Sequence, residues 1–254
     1  MLSIITVMNN KKIFIEWLKK GLALQEDIKY ELIVVNNKDN RYKSLGEAYT
    51  SGVEKATGEW LMFVHPDVCF LNNNTLKGFY DNIEKIEKSN NNIRLWGVAG
   101  VEEGSFQPKN FITSIVHGED AEKNIDNFNG REYVIVQTVD ACCFTIRKEL
   151  FDKYGFSKKL SGFHMFVEEF CIRIKKDGFD SAVIPIDLWH RSKGDSLDYT
   201  YFLAVFKLLR FYPDLKSFNT TTIQGNINIY YIAKLVYYEI KYLLKHLLKH
   251  ITFN

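Results

Sequence analysis

The first hundred residues of this 254-residue chain alternate between two hydrophobic periods, and that alternation restricts its fold more than any other feature. LSIITVM (2–8), YELIVVNN (30–37) and GEWLMFV (58–64) read as strands covered on both faces, and RLWGVAGVEEG (94–104) as a further one. Between them IFIEWLKKGLAL (13–24) places Ile13, Trp17, Leu18 and Leu24 near one helical face. SLGEAYTSGVEKA (44–56) opens with Ser44 and has Glu47 three residues on, the spacing of a capping box. A third helix follows Asn74 or Thr75 as its cap. Strand, helix and strand joined by short connections specify an α/β fold with a mostly parallel sheet and flanking helices.

Ligands of such sheets bind outside the carboxyl ends of the strands. Those ends carry Asn9 and Asn10, then Asn36 and Asn37, then His65 and Asp67. Three strands therefore present polar groups on one rim. In HPD (65–67) the proline removes a backbone donor, while an extended backbone points His65 and Asp67 to the same side. The Asp67 carboxylate suits Mg²⁺ or Mn²⁺ shared with phosphate, and an imidazole is tolerated better by Mn²⁺.

Residues 103–131 are polar and weakly periodic, which reads as a surface excursion or a flexible lid, and His117 falls in it. VIVQTVDACCFTI (134–146) holds one or two strands and RKELFDKY (147–154) a short helix. HMFVEEFCIRIKKDG (164–178) is a helix with Phe166, Phe170 and Ile174 on one face and Gly178 as its stop. FDSAVIPIDLWH (179–190) reads as a last strand that exits at His190. Beyond it a helical extension (197–254) holds an aromatic helix ended by Pro213, a polar loop, and a terminal helix. In that last helix Lys234, Lys241, Lys245 and Lys249 share one sector, and Val236, Ile240, Leu243, Leu244, Leu247 and Ile251 lie opposite. Such a helix packs on its domain or on a partner, as in a homodimer, or lies on an anionic membrane surface.

Thirty-three basic against 31 acidic residues give a net charge of +2, so no global field points to nucleic acid. The four cysteines, at 69, 142, 143 and 171, fit neither a disulfide framework nor a zinc pattern and read as small buried thiols. No secretory signal and no uncharged apolar span of membrane length is present, which leads us to expect a cytoplasmic protein, soluble or peripheral at the inner face of the plasma membrane.

ATGEWLMFVHPDV (56–68) resembles the A-x-G-E-hydrophobic-F-x-D-x-D element of GT-A-fold glycosyltransferases of family 2, and is similar to a bacterial branch with F-x-H-x-D-V. LSIITVMNN, ELIVVNN, GVAGVEEG, VDACCFTIRKELFDKYGF, FHMFVEEFCIRIKKDGF and a strand ending in WHRSKGDS agree in order, so the resemblance covers roughly residues 1–200. It implies a GT-A domain over 1–196, with a nucleotide-binding half (1–102) and an acceptor and metal half (132–196). The implied reaction moves a sugar from a nucleotide-diphosphate donor, a UDP-sugar first, to a hydroxyl of a saccharide or lipid-linked acceptor. Inversion at the sugar and a place in bacterial capsule, surface polysaccharide or glycolipid synthesis are further implications.

By the same resemblance Asp67 takes the place of the last aspartate of D-x-D, the residue that binds the metal, Mn²⁺ or Mg²⁺. His65 stands at its first acid, toward ribose or diphosphate, and His190 matches a late histidine that completes the metal site. Asn36 and Asn37 replace a nucleoside-binding acidic pair; Asn9 or Asn10 completes that pocket, or only serves helix entry or a turn. Asp140 in VDACC would hold donor or acceptor hydroxyls, and His164 would bind acceptor or donor phosphate, or cap the turn. The chain departs from the family at the catalytic base, where Val167 stands at the usual position and Glu168 or Glu169 is the candidate to serve instead. That departure keeps a second reading open, a non-catalytic module binding a nucleotide-sugar or a partner. A nucleotidyltransferase ranks last, because TVMNNKK lacks a Gly- and Arg-rich phosphate loop.

Overall fold

The computed structural model describes residues 1–103, 111–121, 123–124, 126–160, 162–192 and 197–251, with backbone alone for 123–124 and 249–251. Residues 104–110, 122 and 125 of the polar excursion, 193–196 of WHRSKGDS, and the side chains of Lys249 and Ile251 lie outside the described residues.

Seven strands form the central sheet in the order Val134–Val136, Asp180–Val183, Ile93–Gly97, Cys143–Arg147, Trp60–Val64, Leu2–Met8 and Tyr30–Asn36. Val134–Val136 and Cys143–Arg147 run against their neighbours; the other pairings are parallel. Alternation along the strands divides the core. Ile5, Val7, Leu61, Phe63 and Phe144 face the helices Leu45–Val53 and Phe166–Lys176. Leu2, Ile4, Trp60, Met62 and Val64 face the opposite layer, which contains Thr75–Ser89. Gly52 lets the Leu45–Val53 helix sit close, since a Cβ there would lie 2.5 Å from Ile5 Cγ2. The rim above Met8, Asn36 and Val64 is thereby held against the sheet.

Several local expectations give way. The first helix runs from Lys11 to Ala23 with a π-helical middle, Ile15–Lys19. That extra residue rotates the buried face to Phe14, Leu18 and Leu22 and leaves Leu24 half exposed. Ser44 does cap the second helix by position, but its side chain makes no capping bond; the Leu45 amide donates instead to Gly162 O at 3.0 Å. Tyr30–Asn36 is the sheet edge, so Val34 is exposed rather than covered on both faces.

The run 179–190 is two strands, because Pro185 cannot donate to a ladder. Its second half, Leu188–His190, joins a smaller sheet with Val68–Phe70, Val116–His117 and Lys123–Asn124. Residues 134–146 hold three short strands rather than one or two. After the helix Tyr199–Phe211, the supposed polar loop contains a hairpin, Ser217–Asn219 with Gln224–Asn226. The terminal helix, Ile229–Ile251, closes a third apolar cluster with Met165 and Ile172 of the central unit. No helix among the described residues is long and apolar enough to cross a membrane.

Candidate metal and donor site

The buried strand Trp60–Val64 stops where its ladder stops. The His65 amide makes one last bond to Cys142 O (2.8 Å), Pro66 has no donor, and Val68 turns back onto His65 O (3.3 Å). The chain then re-enters the small sheet as Val68–Phe70, antiparallel to Leu188–His190, with His190 opposite Val68. The Arg191 amide bonds Asp67 O at 3.0 Å, which fixes the two segments at the rim.

This crossing places His190 Nε2 3.6 Å from Asp67 Oδ1. One ligand atom from each of His65, Asp67 and His190 lies within 4.8 Å of the others. His190 Nε2 is buried and has no hydrogen bond, because 3.6 Å is beyond bonding reach. A dication shared by the three side chains would satisfy that orphaned nitrogen, and the mixed imidazole and carboxylate set suits Mn²⁺. Burial pushes the Asp67 carboxyl up, but the two histidines outweigh it and hold the group at about 2. Burial lowers His65, whereas for His190 the opposing Asp67 carboxylate prevails over burial and raises it.

Asp140 extends the same site. Its amide bonds Ala99 O (2.8 Å), its Oδ1 accepts from the Cys142 amide (2.9 Å), and its Oδ2 accepts from Thr221 Oγ1 (2.8 Å). Burial opposes its charge; the Cys142 amide, His190 and Thr221 together hold its pKa below the ordinary carboxylate value. Thr221 belongs to the C-terminal hairpin, so that extension contributes a side chain to the rim.

The two glutamates opening the Phe166–Lys176 helix differ. Glu169 accepts from Tyr212 OH at 2.6 Å and from Arg173 Nη2 at 3.1 Å. Arg173 also ties down Tyr154 O and Gly155 O. A cavity of about 270 Å³ beside Glu169 is lined by Arg173 and Tyr212 and by none of the His65, Asp67 or His190 side chains. Glu168 is also buried, yet its Oε2 has no hydrogen-bond partner. Burial, with a smaller push from the Asp140 charge, raises its carboxyl to about 8. Met165, which precedes the helix, holds φ of +64°, a conformation that favours glycine.

His164 lies further along, its ring 5.4 Å from the Tyr201 ring and its Nε2 4.0 Å from Asp198 Oδ1. Of the rim amides, Asn37 is buried and both ends of its side chain hold the main chain of Tyr42. Asn36 is exposed with its Oδ1 on the Lys38 amide, Asn10 caps the first helix, and Asn9 is exposed between them. Two residues near the cluster are not singled out as site residues by the sequence: His117 falls in the polar excursion, and Thr221 in the polar loop. His117 pairs with His190 across the small sheet, ring centroids 5.8 Å apart, and Thr221 reaches Asp140. A two-residue strand and a threonine run inside a polar stretch leave no periodic signal.

A family model described as "Glycosyltransferase like family" matches residues 3–199. The chain belongs to this glycosyltransferase-like family. No curated protein matches the sequence. Among solved structures, GalNAc-T7 with UDP, GalNAc and Mn²⁺ is similar with a TM-score of 0.58 at 12% identity, over 83% of this chain and 47% of that one. The mannosyltransferase PcManGT from Pyrobaculum calidifontis, in complex with GDP-Man and Mn²⁺, gives 0.56 at 11%, over 84% and 64%. This member of the glycosyltransferase-like family thus has the GT-A fold, and it spans about half to two-thirds of the length of those two structures.

Proposed function

We propose that this protein is a metal-dependent glycosyltransferase that moves a sugar from a nucleotide-diphosphate donor to an acceptor hydroxyl, with inversion. A UDP-sugar is the first donor to test, and the acceptor is a saccharide or a lipid-linked saccharide. The observation that carries this reading is the convergence of His65, Asp67 and His190 at the rim, with an unpartnered imidazole nitrogen among them. Asp67, His190 and His65 would hold Mn²⁺ or Mg²⁺, which when bound offsets the negative charge of a departing diphosphate. Asp140, fixed by the Cys142 amide and Thr221, orients hydroxyls of the bound sugars. Glu168 takes the proton from the attacking hydroxyl, and its buried, unpaired Oε2 and raised pKa suit a general base near neutral pH. Glu169 anchors the helix that carries it.

Thermal unfolding and donor hydrolysis with Mn²⁺ and a panel of UDP- and GDP-sugars test the proposal. We expect a stabilising shift that requires both metal and nucleotide, and Asp67→Ala should lose the metal-dependent part. A wild-type protein indifferent to every nucleotide, with and without metal, sinks it.

A further inference from the structure

The C-terminal helix turns the wrong side to the protein. Its sequence pattern calls for the aliphatic stripe to be packed, but the helix docks through Tyr231, Leu235, Tyr238 and Tyr242. The Phe202 ring stacks on Tyr238 at 5.6 Å and meets Tyr242 at 5.5 Å. At 100° per residue the sector opposite these anchors holds Val236, Ile240, Leu243, Leu244 and Leu247. These five are 37% to 54% exposed, a contiguous apolar strip along the outside of the molecule. Isolated exposed aliphatics are ordinary; a continuous strip on one helix marks a contact surface.

Charge says which surface. Lys234, Lys241 and Lys245 run along one border of the strip, with exposed Tyr237 between the lysines and the aliphatics. Lys241 and Lys245 lie along the helix over the Tyr238 and Tyr242 rings, at 5.9 and 5.8 Å from their centroids. Glu239, the one acid in residues 229–251, is on the other border. An aliphatic strip flanked by a tyrosine and a row of lysines matches a helix lying in a bilayer interface, with stems in the acyl boundary and ammonium groups among lipid phosphates. A second copy fits less well. Two-fold antiparallel pairing through the strip would set each lysine border against its equivalent.

We infer that the outward strip of the Ile229–Ile251 helix seats this protein on the surface of an anionic phospholipid bilayer. The contact is independent of the metal cluster at the rim, and vesicle flotation of the full chain reads it without any sugar donor. Phosphatidylcholine vesicles containing phosphatidylglycerol should bind it about tenfold more tightly than pure phosphatidylcholine, and added salt should reduce the difference. Ile240→Glu with Leu244→Glu should abolish binding while leaving the circular dichroism unchanged, because both side chains are solvent-facing. Lys241→Glu with Lys245→Glu should remove the preference for the anionic vesicles. Asp67→Ala should bind vesicles as the wild type does, so a failed transferase reading leaves this result standing. Three outcomes overturn the inference. They are equal binding to both vesicle types, binding indifferent to the Ile240 and Leu244 changes, and a stable dimer in light scattering that those changes dissolve.

Discussion

The two ends of one strand pair, Trp60–Val64 with Cys143–Arg147, carry buried charge of opposite kinds. At the Trp60 end Glu87 is buried and fully engaged: Arg147 Nε donates to both its oxygens (3.0 and 2.9 Å) and Arg94 Nη1 to one (3.2 Å). The Arg147 guanidinium also lies 4.3 Å from the Trp60 ring centroid. At the Val64 end Asp67, Asp140 and Glu168 gather with the His65 and His190 imidazoles, and the buried Glu168 Oε2 and His190 Nε2 have no hydrogen-bond partner. Among the described residues the Glu87 carboxylate is fully paired by guanidinium groups, although the Trp60 Nε1 beside it has no hydrogen-bond partner, whereas Glu168 Oε2 in the second cluster accepts no bond. A fold tolerates such a deficit where something else supplies the difference. The contrast in buried charge supports the Val64 end as the proposed site.

The sharpest break of that contrast is Glu168→Gln. If Glu168 is the base, turnover should fall about 10³-fold, with substrate binding little changed. The wild-type rate should climb with pH up to about 8, because only the ionised carboxylate accepts a proton. Stability should move the other way. The native state keeps a proton that the unfolded chain releases above about pH 4.3, so this group destabilises the fold progressively as pH rises from there to about 8. Glu168→Gln should flatten both slopes. Glu169→Gln should do neither; it should lower stability by about 1 kcal/mol through its lost bonds to Tyr212 and Arg173. Steady-state rates and urea midpoints between pH 5 and 9 read all four effects, and a flat wild-type pH–rate profile over that range would return the choice of base to the start.

Next in size is Glu87→Gln at the satisfied end. Leaving two partly buried guanidiniums without their carboxylate should cost about 2 kcal/mol of stability, seen as a lower urea midpoint. Metal-dependent nucleotide binding should be unchanged in the folded fraction. Equal damage to binding would mean that the two ends are coupled through the strands and the contrast is false.

The sequence exposed this architecture unevenly, for physical reasons. The strands at 2–8 and 60–64 and the helix at 166–176 were legible because runs of this length carry a clear period, and the polar residues closing the strands marked the rim. The small sheet was not legible. Val116–His117 has no period to detect, and Leu188–His190 is separated from its neighbour by Pro185, so the pairing of His190 with His117 needed the tertiary structure. Nor could spacing separate Glu168 from Glu169, since the residue that engages Glu169 is Tyr212, beyond the next helix. In the terminal helix periodicity found two faces correctly but not which one would be buried. The tyrosine face won through ring contacts with Phe202, a partner no local pattern reveals.

The smallest expected effect concerns the bond through which, among the described residues, the C-terminal hairpin reaches Asp140. Thr221 donates to Asp140 Oδ2, so the hairpin supplies a fraction of the positive polarity the rim lacks. Thr221→Val keeps the shape and removes the donor. Losing one hydrogen bond to a charged acceptor that keeps its Cys142 amide bond should raise the KM for the donor sugar or acceptor about threefold to tenfold. The melting temperature should stay nearly constant, because the hairpin retains its packing through Phe218 and Ile223 in the third cluster. A Thr221→Ser variant, which restores the hydroxyl, should recover the wild-type KM. If Val and Ser behave alike, Asp140 is held by the Cys142 amide alone, and the hairpin is a lid without a hand in the chemistry. If Val instead lowers the melting temperature and leaves KM untouched, the Thr221 bond belongs with the Glu87 cluster as a fully satisfied structural contact, and the line between the two ends of the strand pair has to be redrawn to exclude it.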